Sequence, residues 1–238
     1  QLTPIFVGGL MYISGGDTSV IAVDPTSGKV VWFYTPPQLV KDAMLGQRAL
    51  PPESGEAVQS AATRTAPGTA VATKEVLTGQ GPNRGVAYWT DRQGARIIAM
   101  VAGKLVALDA VTGKLIPTFG DAGAIDLRDG FDRLEGNKAE SFRWTGIPLI
   151  VRDVIVLGGL PGKMAGDIRG FDVRTGKVLW NFHVVPLPGE FGIDTWMKDS
   201  YIWGAQAGVW GMISADDELG YVYLPHEQPG PETDFYGG

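Results

Sequence analysis

Apolar and polar positions alternate along this chain in short runs broken by glycine, and no stretch keeps the period of a long helix. The clearest run is Ile168-Arg-Gly-Phe-Asp-Val-Arg-Thr-Gly-Lys-Val-Leu-Trp180. It reads as a strand, a tight turn and a second strand. Asp172 can fold its carboxylate onto turn N–H groups, Gly176 supplies the positive φ, and Val178-Leu179-Trp180 resumes the strand. Ile21–Trp32 and Leu105–Ile116 repeat the pattern as Asp24-Pro-Thr-Ser-Gly-Lys and Asp109-Ala-Val-Thr-Gly-Lys. Three copies make a repeat, and such a unit buries its apolar face only by stacking on its neighbours.

The copies are separated by 85 and then 63 residues, more than the roughly 40–50 of one propeller blade. Insertions are therefore expected at about 35–82, 121–143 and 184–208, within one domain covering 1–238. Pro4–Ile13 predicts two strands about a Gly-Gly turn, completing a first blade with its hairpin. Asn83–Trp89 and Ala95–Val101 precede the second hairpin, which lacks the closing Trp and runs into Pro117-Thr-Phe-Gly120. Thr145–Val151 and Val154–Leu157 open a third blade. Val209–Ala215 and Leu219–Leu224 start a fourth that does not reach its hairpin. The segment 121–143 is polar, turn-rich and expected to be irregular, and a short helix is expected near Leu39–Leu45. The expected fold is all-β: a β-propeller of four-stranded antiparallel blades, about three and a half of them present, with an exposed edge.

Composition narrows the functions. The 238 residues are 44% hydrophobic, with 34 Gly and 16 Pro, which suits many short strands and turns. A formal net charge of −6 without a Lys/Arg cluster argues against nucleic acid as a partner. No apolar run reaches the ~20 residues of a membrane span, so membrane association is expected only through parts absent here. Cysteine is absent, which removes disulfides, thiolate metal sites and Cys nucleophiles. From the start without Met and the stop at Gly238 after an aromatic turn, the expectation is a segment of a longer protein, or a mature piece whose closing partner is missing.

No nucleophile elbow, zinc helix, P-loop or dinucleotide fingerprint is present. The two histidines are His183, after a strand and expected at a rim, and His226, in the loop leaving a strand.

The hairpins, of the form Ala-Leu-Asp-Ala-x-Thr-Gly-Lys-x-x-Trp, resemble those of the pyrroloquinoline quinone (PQQ)-dependent dehydrogenases. The ordered set Asn83–Trp89, Arg96-Ile-Ile, Gly166–Asp172, Gly192–Trp196, Val209–Gly211, Glu218–Pro225 and Asp234–Gly238 carries the resemblance further. It is most similar to the glucose/quinate-type branch, which lacks the vicinal cysteines of the alcohol-oxidising branch. The resemblance implies an eight-bladed propeller with PQQ in its central channel and a periplasmic location. It implies oxidation of a sugar, polyol or cyclic alcohol, with electrons passed to a quinone or cytochrome.

Residue by residue, the resemblance makes Arg84 the holder of a cofactor carboxylate, and Arg84 alternatively reads as a surface Arg paired with an acid. Trp210 would stack under the quinone, or else be a core Trp between blades. Thr145 would offer its hydroxyl to the cofactor edge, or be an ordinary strand-start Thr. Gln228 stands where the family often has a Ca²⁺-binding Asn. The loop Gly158–Gly166 lacks the acidic Ca²⁺ ligand of the alcohol-oxidising relatives, and Asp167 nearby is expected to pair with Arg169 or cap the turn. No catalytic residue is assigned, since the family's general-base Asp lies beyond Gly238, and the segment alone is expected to be inactive. The competing reading is a non-catalytic propeller scaffold for protein interaction or assembly, which would scatter Arg84, Thr145 and Trp210 instead of gathering them. A lectin-like binder would rest on Trp196 and Trp203 alone.

Overall fold

The computed structural model describes residues 3–15, 19–36, 84–130, 146–159, 166–196, 201, 208–209 and 211–226. The chain divides into two compact units, Gln1–Pro36 with Gly79–Gly238, and Pro37–Thr78. The second unit, and with it the helix expected near Leu39–Leu45, lies outside the described residues.

In the first unit the elements follow the alternating pattern. The first blade is the antiparallel meander β1 (Ile5–Val7), β2 (Leu10–Ser14), β3 (Val20–Val23) and β4 (Val30–Tyr34). The second is β5 (Val86–Asp91), β6 (Gly94–Val101), β7 (Lys104–Asp109) and β8 (Ala124–Asp126). The third is β9 (Leu149–Val151), β10 (Val154–Gly158), β11 (Ile168–Asp172) and β12 (Val178–Phe182). A two-stranded piece, β13 (Ser214–Asp216) with β14 (Tyr221–Tyr223), begins a fourth. The first strands of successive sheets, β1, β5, β9 and β13, touch in that order. A parallel bridge from Thr3 to Gly85 ties the first two blades. The expected three and a half blades are therefore present as four-stranded antiparallel sheets set side by side.

The three hairpins close in one way. In the third, Asp172 accepts hydrogen bonds from Thr175 N (2.7 Å), the Thr175 hydroxyl (2.7 Å) and Arg174 N (3.1 Å). Gly176 N donates to Asp172 O (2.8 Å) with Gly176 at φ +74°. Asp109 and Asp24 anchor their turns likewise, with Gly113 at +69° and Gly28 at +71°. Only glycine takes these angles without cost, so the repeat must spell Gly there.

Burial follows from the stacking. The second blade is covered on both faces, which is why β6 ends in the unbroken apolar run Ile97–Val101. Ile97, Ala99 and Val101 pack with Tyr12, Val20 and Trp32 of the first blade. Ile98 and Met100 pack with Ile155, Leu157 and Phe171 of the third. Trp32 fastens the first seam: its indole N–H donates to Ala110 O (2.9 Å) and its ring lies on Gly113. Exposed apolar side chains concentrate on the first blade, at Phe6, Val31 and Phe33, and on β12, at Leu179, Trp180 and Phe182.

One sequence expectation is corrected. Residues 124–126 were expected to belong to an irregular insertion, yet they form β8, the fourth strand of the second blade. Pro117 stops the hairpin's return strand after a single bridge from Leu115 to Leu108. The chain then turns through Phe119, fully buried, and pairs Ala124–Asp126 with Lys104–Val106. Ile125 now packs on Gly176 of the next hairpin, the place that Trp32 takes on Gly113. A residue other than Trp thus fills the second seam.

Candidate cofactor site

Antiparallel register sorts each blade into two ends. In the third blade Leu149 lies opposite Val156, Gly158 opposite Ile168, and Ile168 opposite Phe182. The start of β9, the end of β10, the start of β11 and the end of β12 therefore share one end, and the Asp172–Lys177 turn lies at the other. In the second blade the same register puts the start of β5, the β6–β7 turn and the end of β8 together. Arg84, just before β5, belongs to this end. Its carbonyl accepts Thr3 N (2.9 Å), which holds the backbone in line with the first blade.

Thr145, Trp210 and Gln228 lie outside the described residues, as does Trp203. The described residues beside the first two are placed. Gly85 lies against Ile147: a Cβ on Gly85 would sit 3.1 Å from Ile147 Cδ1 and 3.2 Å from Thr3 O. A Cβ on Gly146 would sit 3.6 Å from Gly158 O and 3.8 Å from Val209 O. Val209 N donates to Gly159 O (3.0 Å), and Val209 is fully buried. The segments leading into β5, β9 and β13, at Arg84-Gly85, Gly146-Ile147 and Val209, thus run side by side, with the Ile147 side chain against Gly85.

Other polar groups described at this end are held by backbone and by one another. Asp167, 1% exposed, accepts Val184 N (3.1 Å). Arg169 is fully buried, donating to Leu127 O (2.7 Å), Asp129 O (2.8 Å) and Asn181 Oδ1 (3.0 Å), with its guanidinium 5.0 Å over the Phe171 ring. His183 Nδ1 and Glu190 Oε1 lie 2.7 Å apart, and Leu187 N donates to Glu190 Oε2 (2.7 Å). His183 is accordingly a fastened rim residue, as expected. Burial pushes the His226 imidazole pKa down. Trp196 packs beside Val185. A surface cleft between the second and third blades, lined among others by Asp121, Asp126, Asp129 and Lys177, includes none of the residues expected to bind a cofactor.

The opposite end carries a structural network that the sequence did not reveal. Two guanidinium groups lie over the Trp89 ring, Arg96 (5.1 Å) and Arg174 (4.6 Å), and the indole N–H donates to Asp153 Oδ1 (3.2 Å). Arg174 pairs with Asp153 (2.8 Å) and Asp91 (3.2 Å). The N–H of Gln93 and then Arg174 hold the Asp91 carboxyl below its usual pKa, against burial, which raises it. These groups stitch the second blade to the third.

The chain was compared with known proteins on this basis. The family described as "PQQ: Glucose/ethanol/alcohol dehydrogenase, beta-propeller domain" matches residues 48–238. The chain belongs to this PQQ dehydrogenase β-propeller family. The quinohemoprotein alcohol dehydrogenase ADH IIB of Pseudomonas putida is 30% identical over 237 residues, 94% of this chain and 27% of that protein. The quinoprotein glucose dehydrogenase of Escherichia coli (strain K12) is 27% identical over 245 residues, 100% of this chain and 27% of that protein. The solved quinohemoprotein alcohol dehydrogenase ADHIIG of Pseudomonas putida HK5 superposes with a TM-score of 0.62 at 26% identity, over 94% of this chain and 28% of that one. The chain thus spans little more than a quarter of the length of the relatives it matches.

Whether the described residues suit PQQ, a flat tricyclic quinone with carboxylates, turns on two observations. Arg84 supplies a guanidinium, whose planar fork matches a carboxylate. Gly85 and Gly146 beside it are buried and let the backbones of neighbouring blades close up, which brings the approaches to β5, β9 and β13 to one end with Arg84. The set fits. For a metal, no three His, Asp or Glu side chains gather within ligating reach among the described residues, and Gln228 lies outside them.

Proposed function

We propose that this chain is part of a PQQ-dependent oxidoreductase that oxidises the CH–OH group of a sugar, polyol or cyclic alcohol and passes the electrons to a quinone or cytochrome. The observation that carries the reading is the convergence of the strand starts at Arg84-Gly85, Gly146-Ile147 and Val209 at one end of the stacked blades.

In this reading Arg84 binds a carboxylate of the cofactor and fixes its rotation in the plane. Thr145 offers a hydroxyl to its edge, Trp210 stacks against its face, and Gln228 contributes a carbonyl to a Ca²⁺ ion. PQQ, when bound, supplies the two-electron acceptor, with Ca²⁺ polarising it as a Lewis acid. The general base is an Asp beyond Gly238, and the complete propeller has eight blades. The insertions at about 35–82 and 184–208 lie between blades of a single domain, and the location is periplasmic. The exposed apolar faces of the first blade and of β12 are covered by the rest of the protein, and the 238-residue chain is inactive by itself.

The test is to load the full-length protein with PQQ and Ca²⁺ and assay sugars, polyols and cyclic alcohols with a dye acceptor. Dye reduction by wild type, with PQQ affinity lowered by Arg84→Gln, supports the reading. A protein that binds no PQQ, or reduces no dye, returns the case to the scaffold. A lost charge-assisted hydrogen bond of ~1.5–3 kcal/mol corresponds to roughly 10- to 100-fold in affinity.

A further inference from the structure

The end of β10 meets the segment leading into the fourth blade at Gly158 and Gly159. Gly158, the last residue of β10, lies so close to Val209 that an added Cβ would collide with the Val209 carbonyl oxygen and come 2.9 Å from its Cβ. The neighbouring peptide makes the contact a fixed seat, since Val209 N donates to Gly159 O (3.0 Å). Val209 is fully buried and packs with Val151, Val156 and Ile168, so its strand cannot slide outward without opening that cluster. Gly146, at the start of β9, closes the third side against Gly158 O and Val209 O.

The crowding is specific in kind. Gly158 is not among the glycines with positive φ, so alanine is acceptable to its own backbone. What forbids a side chain is the proximity of blade four. An ordinary contact requires about 3.4 Å, so an alanine there drives the Val209 carbonyl away by on the order of 1 Å. Packed blades transmit such a shift instead of absorbing it. The displaced residue immediately precedes Trp210 and shares the end that holds Arg84.

We infer that Gly158 is a positioning residue: by lacking a side chain it seats the start of the fourth blade at the level of Arg84 and so sets the affinity for PQQ. The inference rests on the PQQ reading. It assigns to β10 a function that neither the hairpin repeat nor a charge pattern marks.

A matched control exists in the same sheet. A Cβ on Gly170 would come 2.5 Å from Trp180 Cζ2 and Nε1, an equally severe clash, but against the outer strand β12. Both Gly158→Ala and Gly170→Ala should lower the unfolding temperature of the full-length apoprotein. Only Gly158→Ala should weaken PQQ, measured by equilibrium dialysis of apoprotein with Ca²⁺ at a temperature where both variants are folded. A 1 Å misplacement predicts a loss of roughly 10- to 100-fold, against about twofold or less for Gly170→Ala. Should Gly158→Ala not fold, Val209→Ala loosens the same seat by removing atoms, and a weakening of about threefold or more is expected.

Arg84→Gln separates the two levels of the argument. If Arg84→Gln weakens PQQ while Gly158→Ala, or Val209→Ala in its place, binds as wild type does, the positioning role is overturned and the PQQ reading stands. If Gly170→Ala weakens PQQ as much as Gly158→Ala, the effect is general loosening and the role is likewise overturned. If Arg84→Gln leaves affinity unchanged, the PQQ reading fails at this end and the inference fails with it.

Discussion

Trp32 and Gly113 carry the seam between the first two blades, and their coupling can be worked out in advance. Trp32 is 8% exposed, donates to Ala110 O at 2.9 Å, and lies 5.8 Å from the Tyr12 ring. Truncating it to Ala removes a buried indole, for which about 3–5 kcal/mol is expected. Trp32→Phe keeps much of the ring and forfeits the hydrogen bond. Because the Tyr12 hydroxyl also donates to Ala110 O (3.2 Å), that acceptor is not orphaned, and the cost should be only about 1–2 kcal/mol. Gly113→Ala acts from the other side. It places alanine at φ +69°, worth about 1–2 kcal/mol, and pushes a Cβ to 2.6 Å from Trp32 Cδ2 and Cε3. In the Trp32→Ala background the second penalty vanishes and only the backbone strain should remain. The double-mutant cycle therefore predicts a coupling of about 1 kcal/mol or more between residues in different blades. Urea unfolding of the full-length protein, comparing midpoints at constant slope, reads all four corners. Additive costs for Trp32→Ala and Gly113→Ala would show that the ring does not rest on that glycine, and the seam as described would be wrong.

Other outcomes follow from single sites. Arg169→Met should cost about 3–5 kcal/mol, since it strips three acceptors of a buried guanidinium; a loss below 1 kcal/mol in denaturant unfolding would contradict the network. Ala102, at φ +51° in the β6–β7 turn, should gain about 0.5–1 kcal/mol on replacement by Gly, and a destabilised Ala102→Gly would refute that strain. Asp172 bears on acid stability. Burial alone would raise its carboxyl pKa, but the Thr175 hydroxyl and the turn N–H groups hold it below the usual value. Its contribution is thus fully present above the ordinary carboxylate range and is lost as pH falls through the lowered value. Asp172→Asn should give a flatter acid limb in stability against pH, and an unchanged limb would remove the turn from the explanation.

Much of the fold was legible because each hairpin needs the same local chemistry: an Asp to accept turn N–H groups and a Gly at positive φ. That demand is written into Asp24–Lys29, Asp109–Lys114 and Asp172–Lys177 whatever surrounds them. β8 was not legible, since Ala124-Ile125-Asp126 has no strand signature of its own and is a strand only because Lys104–Val106 offers an open edge. The substitution of Ile125 for a Trp on Gly176 was hidden for the same reason: the partner lies in another blade. At the proposed cofactor end, Arg84 came from motif resemblance. The Gly158–Val209 seat joins backbones distant in sequence, and nothing in Val-Leu-Gly-Gly announces it. Arg169 left a trace, because it shares a strand face with Phe171, and an Arg facing the core must find partners there.

The account's central claim is that the end of the stacked blades shared by Arg84, Gly146 and Val209 holds PQQ. A crystal structure of the full-length protein loaded with PQQ and Ca²⁺ tests it most directly. The account predicts the quinone at the end shared by Arg84, Gly146 and Val209, with a carboxylate on the Arg84 guanidinium. A quinone at the hairpin end, or an Arg84 side chain turned away from it, would contradict the account.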